Sequence, residues 1–130
     1  MHAGDLAPLA ALDGIDLVNL QRGGGHDLTR VAPQAIDAMQ APLSLDEFAA
    51  ALAATDAMVS VDTMAAHCAG ALGHRVCVLL PQQAGWWWGE AGATSVWYPS
   101  ARLFRRRADT DWRETVRAVA DTLLPLPERF

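Results

Sequence analysis

The chain has 130 residues, 52% of them hydrophobic, a net charge of -5 at pH 7 and two cysteines. That length leaves room for one domain with one core, the apolar content excludes disorder, and the negative charge argues against a nucleic-acid backbone as the main partner. No apolar run approaches the ~20 residues that cross a bilayer.

In chain order, the opening MHAGDL lacks the basic and apolar regions of a signal peptide. Asp5 is placed to cap a short helix through Leu6, Leu9 and Leu12, with Gly14 just past its end. Ile15–Leu20 is aliphatic enough for a strand. Gln21, Arg22 and the glycines Gly23 to Gly25 then break regular structure. Residues 26–42 are the least legible, and Ile36 to Met39 reads equally as a short strand or a fragment of helix. Ser44 with Glu47 forms a capping box, opening a helix with Leu45, Phe48, Ala49 and Leu52 on one face. Met58–Val61 reads as a buried strand, Thr63–Leu72 as a helix ended by Gly73, and Val76–Leu80 as a second buried strand stopped by Pro81. Residues 82–100 form a long irregular segment with four of the five tryptophans, Trp86, Trp87, Trp88 and Trp97. Loops of that length are usually functional or mobile. Arg102–Arg105 reads as a short strand, and Asp111 with Glu114 caps a last helix whose stripe is Trp112, Val116, Val119 and Leu123.

Strands alternating with helices predict an α/β fold, a parallel sheet with helices on its faces. Ligands of such sheets bind beyond the carboxyl ends of the strands. The tips expected there are Gln21–Gly25, Asp62–Met64 and Pro81–Trp88.

The segment Met58–Pro81 carries the strongest chemical signal. A helix start at the end of a buried strand leaves backbone N–H groups free, and the helix dipole adds positive potential, so an anion such as a phosphate fits there. Asp62 has two readings: an N-cap for that helix, or a carboxylate that meets ligand hydroxyls while the amides of Thr63, Met64 and Ala65 take a phosphate. His67 shares the helix face of Thr63 one turn on. It fits a core histidine bonded to a carbonyl somewhat better than a ligand-facing group. Gln21–Gly25 is a weak phosphate-loop signal, since neither GxGxxG nor GxxxxGK[ST] is present. The tryptophans suit an aromatic platform for a base or sugar, or an interface with another domain or chain; their number favours the interface. Arg105 to Arg107 reads as a solvated edge. No GxSxG elbow supports a hydrolase, and His2, His26, His67 and His74 lack metal-ligand spacing. Cys68 and Cys77 match no zinc or CxxC pattern and are expected as small buried thiols in a reducing cytoplasm.

The run VSVDTMAAHCAGALGHRVCVLLP, then WWWG, then SVWYPSARLFRR, resembles the C-terminal, donor-binding domain of heptosyltransferase-related glycosyltransferases. The nearest relatives look like the glycosyltransferase-like domains appended to tetratricopeptide-repeat proteins. PLAALDGIDLVNLQRG fits the preceding region of that family. The resemblance implies GT-B architecture: two Rossmann-like domains facing across a cleft, this one binding a nucleotide-sugar without a metal ion or other cofactor. It implies that Asp62 contacts sugar hydroxyls, that Thr63 and the Met64 amide take the diphosphate, and that His67 lines the same pocket. Gln21, Arg22 and Gly23 would lie near the nucleoside. The reaction implied is sugar transfer to an acceptor hydroxyl, in the cytoplasm.

Three departures qualify that expectation. Met64 stands where the heptosyltransferase motif D-[ST]-G-x-x-H has glycine. The acceptor domain that supplies the family's catalytic base is absent from this sequence, so no catalytic residue is assigned and the isolated chain is expected to be weak or inactive. The family's first strand, central in a Rossmann-like order, is also absent; the two halves of the sheet must then pair directly, or another chain must fill the gap. The alternative is a non-catalytic remnant that binds a partner, or a second copy of itself, through the tryptophan surface.

Overall fold

The structure is a computed structural model that describes residues 1–23 and 25–124, with only the backbone of residues 25 and 26. Gly24 of the glycine run therefore lies outside the described residues.

Five strands alternate with helices, and the fold is α/β and Rossmann-like. After a 3-10 turn at Ala3–Leu6 come α1 (Ala7–Ala10), β1 (Val18–Asn19), α2 (Gly25–Val31), β2 (Ile36–Asp37), α3 (Leu45–Ala53), β3 (Met58–Val61), α4 (Met64–Ala71), β4 (Val76–Leu80), β5 (Ala101–Arg105) and α5 (Trp112–Leu123). A second 3-10 turn, Trp86–Trp88, interrupts the long segment before β5. The strands form two parallel sheets, β1-β2 and β3-β4-β5. No backbone hydrogen bond joins them among the described residues. The two halves therefore do not pair directly.

β4 shows why the chain makes three layers. All five of its residues are buried, as its unbroken run of Val, Cys and Leu demands of a strand covered on both faces. Val76, Val78 and Leu80 pack with Phe48 and Leu52 of α3, Ala66 and Ala69 of α4, and Trp88. Cys77 and Leu79 pack on the other face with Leu9 of α1 and with Val116, Val119 and Leu123 of α5. Each fully buried Val or Leu side chain contributes about 1.5–3 kcal/mol, so β4 is the strand on which the fold depends most.

The caps explain most helix boundaries. The Ser44 hydroxyl accepts from the Glu47 amide at 3.2 Å, and the Glu47 carboxylate accepts from the Ser44 amide at 2.8 Å. Asp111 accepts from the Glu114 amide at 2.9 Å. Gly73, with φ +69°, ends α4 in the left-handed region that favours glycine. Three expectations are corrected. Asp5 is not an N-cap: its carboxylate reaches back to the His2 amide at 2.7 Å, inside a helical turn that already begins at Ala3. The strand expected over Ile15–Leu20 shortens to Val18–Asn19, because pairing with β2 covers only two residues. The arginines at the end of β5 are not simply solvated. Arg105 donates to the carbonyls of Trp88, Gly89 and Gly92, tying down the tryptophan segment, and Arg106 lies 5.3 Å over the Trp112 ring.

Candidate functional site

β3 ends at Val61 and points the chain into the turn Asp62-Thr63, where α4 begins. The N-cap is Thr63, in extended conformation, and its side chain makes no capping bond. Its hydroxyl is engaged elsewhere, with Ser60 at 3.0 Å and the Val61 carbonyl at 3.3 Å. The amides of Ala66 and His67 are satisfied by the Thr63 carbonyl. Those of Met64 and Ala65 bond no described residue, as the first N–H groups of a helix do unless a side chain caps them.

Asp62 is not the cap, so its reading as an N-cap is corrected. Its carboxylate accepts from the Trp87 indole N–H at 3.3 Å and lies 3.6 Å from His67 Nε2. Among the described residues it makes no hydrogen bond to the amides of Met64 or Ala65.

His67 meets three groups. Nδ1 bonds the Tyr98 hydroxyl at 3.0 Å, Nε2 faces Asp62, and the ring stacks on Trp88 at 4.7 Å with 23° between planes. The expected backbone-carbonyl partner is replaced by Tyr98, and the ring is only half-buried, with its side chain 36% exposed. Gly70 lets Tyr98 approach, since a Cβ there would collide with the Tyr98 ring. Met64 is 64% exposed, on the outer side of the turn.

The tryptophans divide into three kinds. Trp88, at 2% exposure, is a core residue, so its assignment to an aromatic surface is corrected: it fills the space between His67, Tyr98 and the α4 face of β4. Its side chain is too large for a thin domain to leave out once a neighbouring histidine and tyrosine offer a flat wall. Trp87 is half-exposed and holds Asp62. Trp86 and Trp97 stand out at 77% and 60% exposure.

The structure brings Asp62, Thr63, His67 and Trp87 together. Gln21, Arg22 and Gly23 are exposed at the end of β1, where no hydrogen bond or ion pair among the described residues links them to Asp62 or His67. Their loop is organised by Asn19, 6% exposed, which accepts from the Gln21 amide at 3.1 Å and donates to the Asp37 carboxylate at 2.9 Å. Asn19, Asp37 and Tyr98 are positioning residues that sequence reasoning missed. A signal existed for two of them: Asn19 interrupts an aliphatic run, and Tyr98 is the chain's one tyrosine.

The surface carries two open depressions. One is lined by Asp109, Asp111, Arg113 and Arg117, the other by α1 and α5, and neither reaches Asp62 or His67. Among the described residues no three His, Cys, Asp or Glu side chains gather as a metal ion would need, and no helix is long and apolar enough to cross a membrane. No protein-family model matches the chain, and neither the curated proteins nor the solved structures compared with it include a match.

Proposed function

We propose that this α/β domain is the donor-binding half of a GT-B-type glycosyltransferase, taking the diphosphate of a nucleotide-sugar at the α4 N-terminus for transfer to an acceptor hydroxyl. One observation carries the reading: among the described residues the amides of Met64 and Ala65 have no hydrogen-bond partner, while the adjacent Asp62 carboxylate bonds the Trp87 indole. Those amides would stabilise the charge that gathers on the leaving diphosphate. Asp62 would accept from sugar hydroxyls with its remaining lone pairs. His67, oriented by Tyr98 and Trp88, would donate from Nε2, and Gln21 to Gly23 would meet the nucleoside. An acceptor domain would be the partner that completes the cleft. This reading puts the chain in the cytoplasm.

Titration with UDP-, ADP- and GDP-sugars, followed by melting temperature and tryptophan fluorescence, tests it. A bound donor at about 100 times its dissociation constant stabilises by about 2.7 kcal/mol. Asp62→Ala should abolish the shift for the right donor. No shift with any donor refutes the proposal.

The exposure of Trp86, Val96 and Trp97 favours a second reading, an interaction module. Under it the same titrations are silent, and sedimentation shows a dimer whose population rises with concentration and falls in Trp97→Ala.

A further inference from the structure

The Asp62 carboxylate is engaged from within the protein itself. The Trp87 indole N–H donates to Oδ1 at 3.3 Å, and His67 Nε2 faces the same oxygen at 3.6 Å. Oδ2 has no hydrogen-bond partner among the described residues. At 3.3 Å the indole bond is longer than the common value of about 2.9–3.0 Å. Both of its ends reach solvent, with the Asp62 side chain 30% and Trp87 37% exposed. Such a bond is weak and open to competition from water or a ligand hydroxyl.

The turn that carries Trp87 is fixed at its backbone. The Trp88 amide donates to the Gly85 carbonyl and the Gly89 amide to the Trp86 carbonyl, both at 3.0 Å. Arg105 holds the carbonyls of Trp88 and Gly89 at 2.8 and 2.9 Å, and the Trp88 side chain is buried. Trp87 therefore leaves Asp62 by turning about its own side-chain bonds, a fast motion for an exposed ring. Gly85 sets where that ring rests. Its φ of -58° and ψ of 149° suit any residue, so the backbone does not demand glycine. The ring does: a Cβ on Gly85 would overlap the six-membered ring of Trp87. Trp86 meets Trp87 edge to face at 5.8 Å and supports the same position.

We infer that Trp87 is an autoinhibitory latch on the candidate site: folded over Gly85, its indole occupies the Asp62 oxygen that a ligand hydroxyl would take. Closed, the carboxylate offers Oδ2 alone. Open, it offers both oxygens, enough to accept from two neighbouring hydroxyls of a sugar or other polyol. A ligand that needs both must first turn the indole away, so its apparent affinity falls with the fraction of molecules that are open. The ligand class rests on the proposed sugar-donor reading; the latch itself does not.

Two variants open the latch from different sides. Gly85→Ala displaces the ring and leaves both Asp62 and Trp87 in the chain, while Trp87→Phe keeps a ring and removes the N–H. Carbodiimide coupling of carboxylates to glycinamide, read residue by residue by mass spectrometry, measures access to Asp62 with no ligand present. Both variants should label Asp62 at least about twofold faster than the parent, with the exposed Asp46 unchanged. Trp87→Phe decides the point if Gly85→Ala does not fold. Equal Asp62 rates in the parent and the folded variants overturn the latch. Titration of the same proteins with UDP-, ADP- and GDP-sugars tests the inhibition. A donor that binds should bind the variants about two- to tenfold more tightly, the worth of one hydrogen bond. Binding no tighter than the parent's overturns the inhibition, because Trp87 then does not stand in the ligand's way. If no donor binds any of the three proteins, the sugar-donor reading fails, and faster labelling of Asp62 still upholds the latch.

Discussion

Replacing Trp88 probes whether the site is held from behind by its core. The indole is 2% exposed and stacks on His67 at 4.7 Å. An aromatic side chain of this kind buries about 150–250 Å², which at about 25 cal/mol per Å² amounts to about 4–6 kcal/mol. One feature acts against it: the Trp88 Nε1 is buried without a hydrogen-bond partner among the described residues. An orphaned donor costs about 1–3 kcal/mol. Trp88→Ala should therefore lower stability by about 3–5 kcal/mol, a large part of the about 5–15 kcal/mol that a domain has. Trp88→Phe keeps a ring against His67 and removes the orphaned N–H. Its loss of area is offset in part, and the expected cost is under about 1.5 kcal/mol. Urea unfolding followed by far-ultraviolet circular dichroism measures both. If Phe costs as much as Ala, the indole N–H has a partner or the ring has another place, and the reasoning fails. An Ala variant within about 1 kcal/mol of the parent would mean that Trp88 is not core at all.

Burial lowers the pKa of His74, against a weaker opposing pull from Asp56. The folded state then binds fewer protons than the unfolded one below the ordinary value of 6.5. Its contribution is complete above that value and is lost as pH falls from it toward the lowered folded-state value, so the urea midpoint should drop as pH falls below 6.5 and His74→Gln should flatten that part of the profile. Asp111→Ala removes the capping bond to Glu114 and should cost about 1 kcal/mol in the same assay, with Asp111→Asn costing much less. Burial raises the pKa of the Cys77 thiol, which is 1% exposed, while Cys68 is half-buried. A thiol reagent at neutral pH should label Cys68 slowly in the native protein and Cys77 only on unfolding; equal native rates would show that α5 does not cover β4.

Elements with a signal inside one turn of chain were legible in the sequence. The box at Ser44–Glu47, the cap at Asp111, the run Val76–Leu80 and the stripe Val116, Val119 and Leu123 stand where their spacing places them. Such features are set by neighbours three or four residues apart, so they need no tertiary partner to be read. β2 and α2 were not legible, because a two-residue strand and a helix opening on glycine carry almost no local pattern.

The alternation of strand and helix, and the chain turn at Asp62-Thr63, were determined by the sequence alone. Only the tertiary structure decided which tryptophan is core, that Asp62 turns to Trp87 rather than to the helix amides, and that His67 finds Tyr98, 31 residues away. It also decided that the two sheets stay apart. These outcomes are competitions among partners distant in sequence. A carboxylate, an imidazole or a strand edge has several chemically acceptable partners, and only packing in three dimensions selects among them.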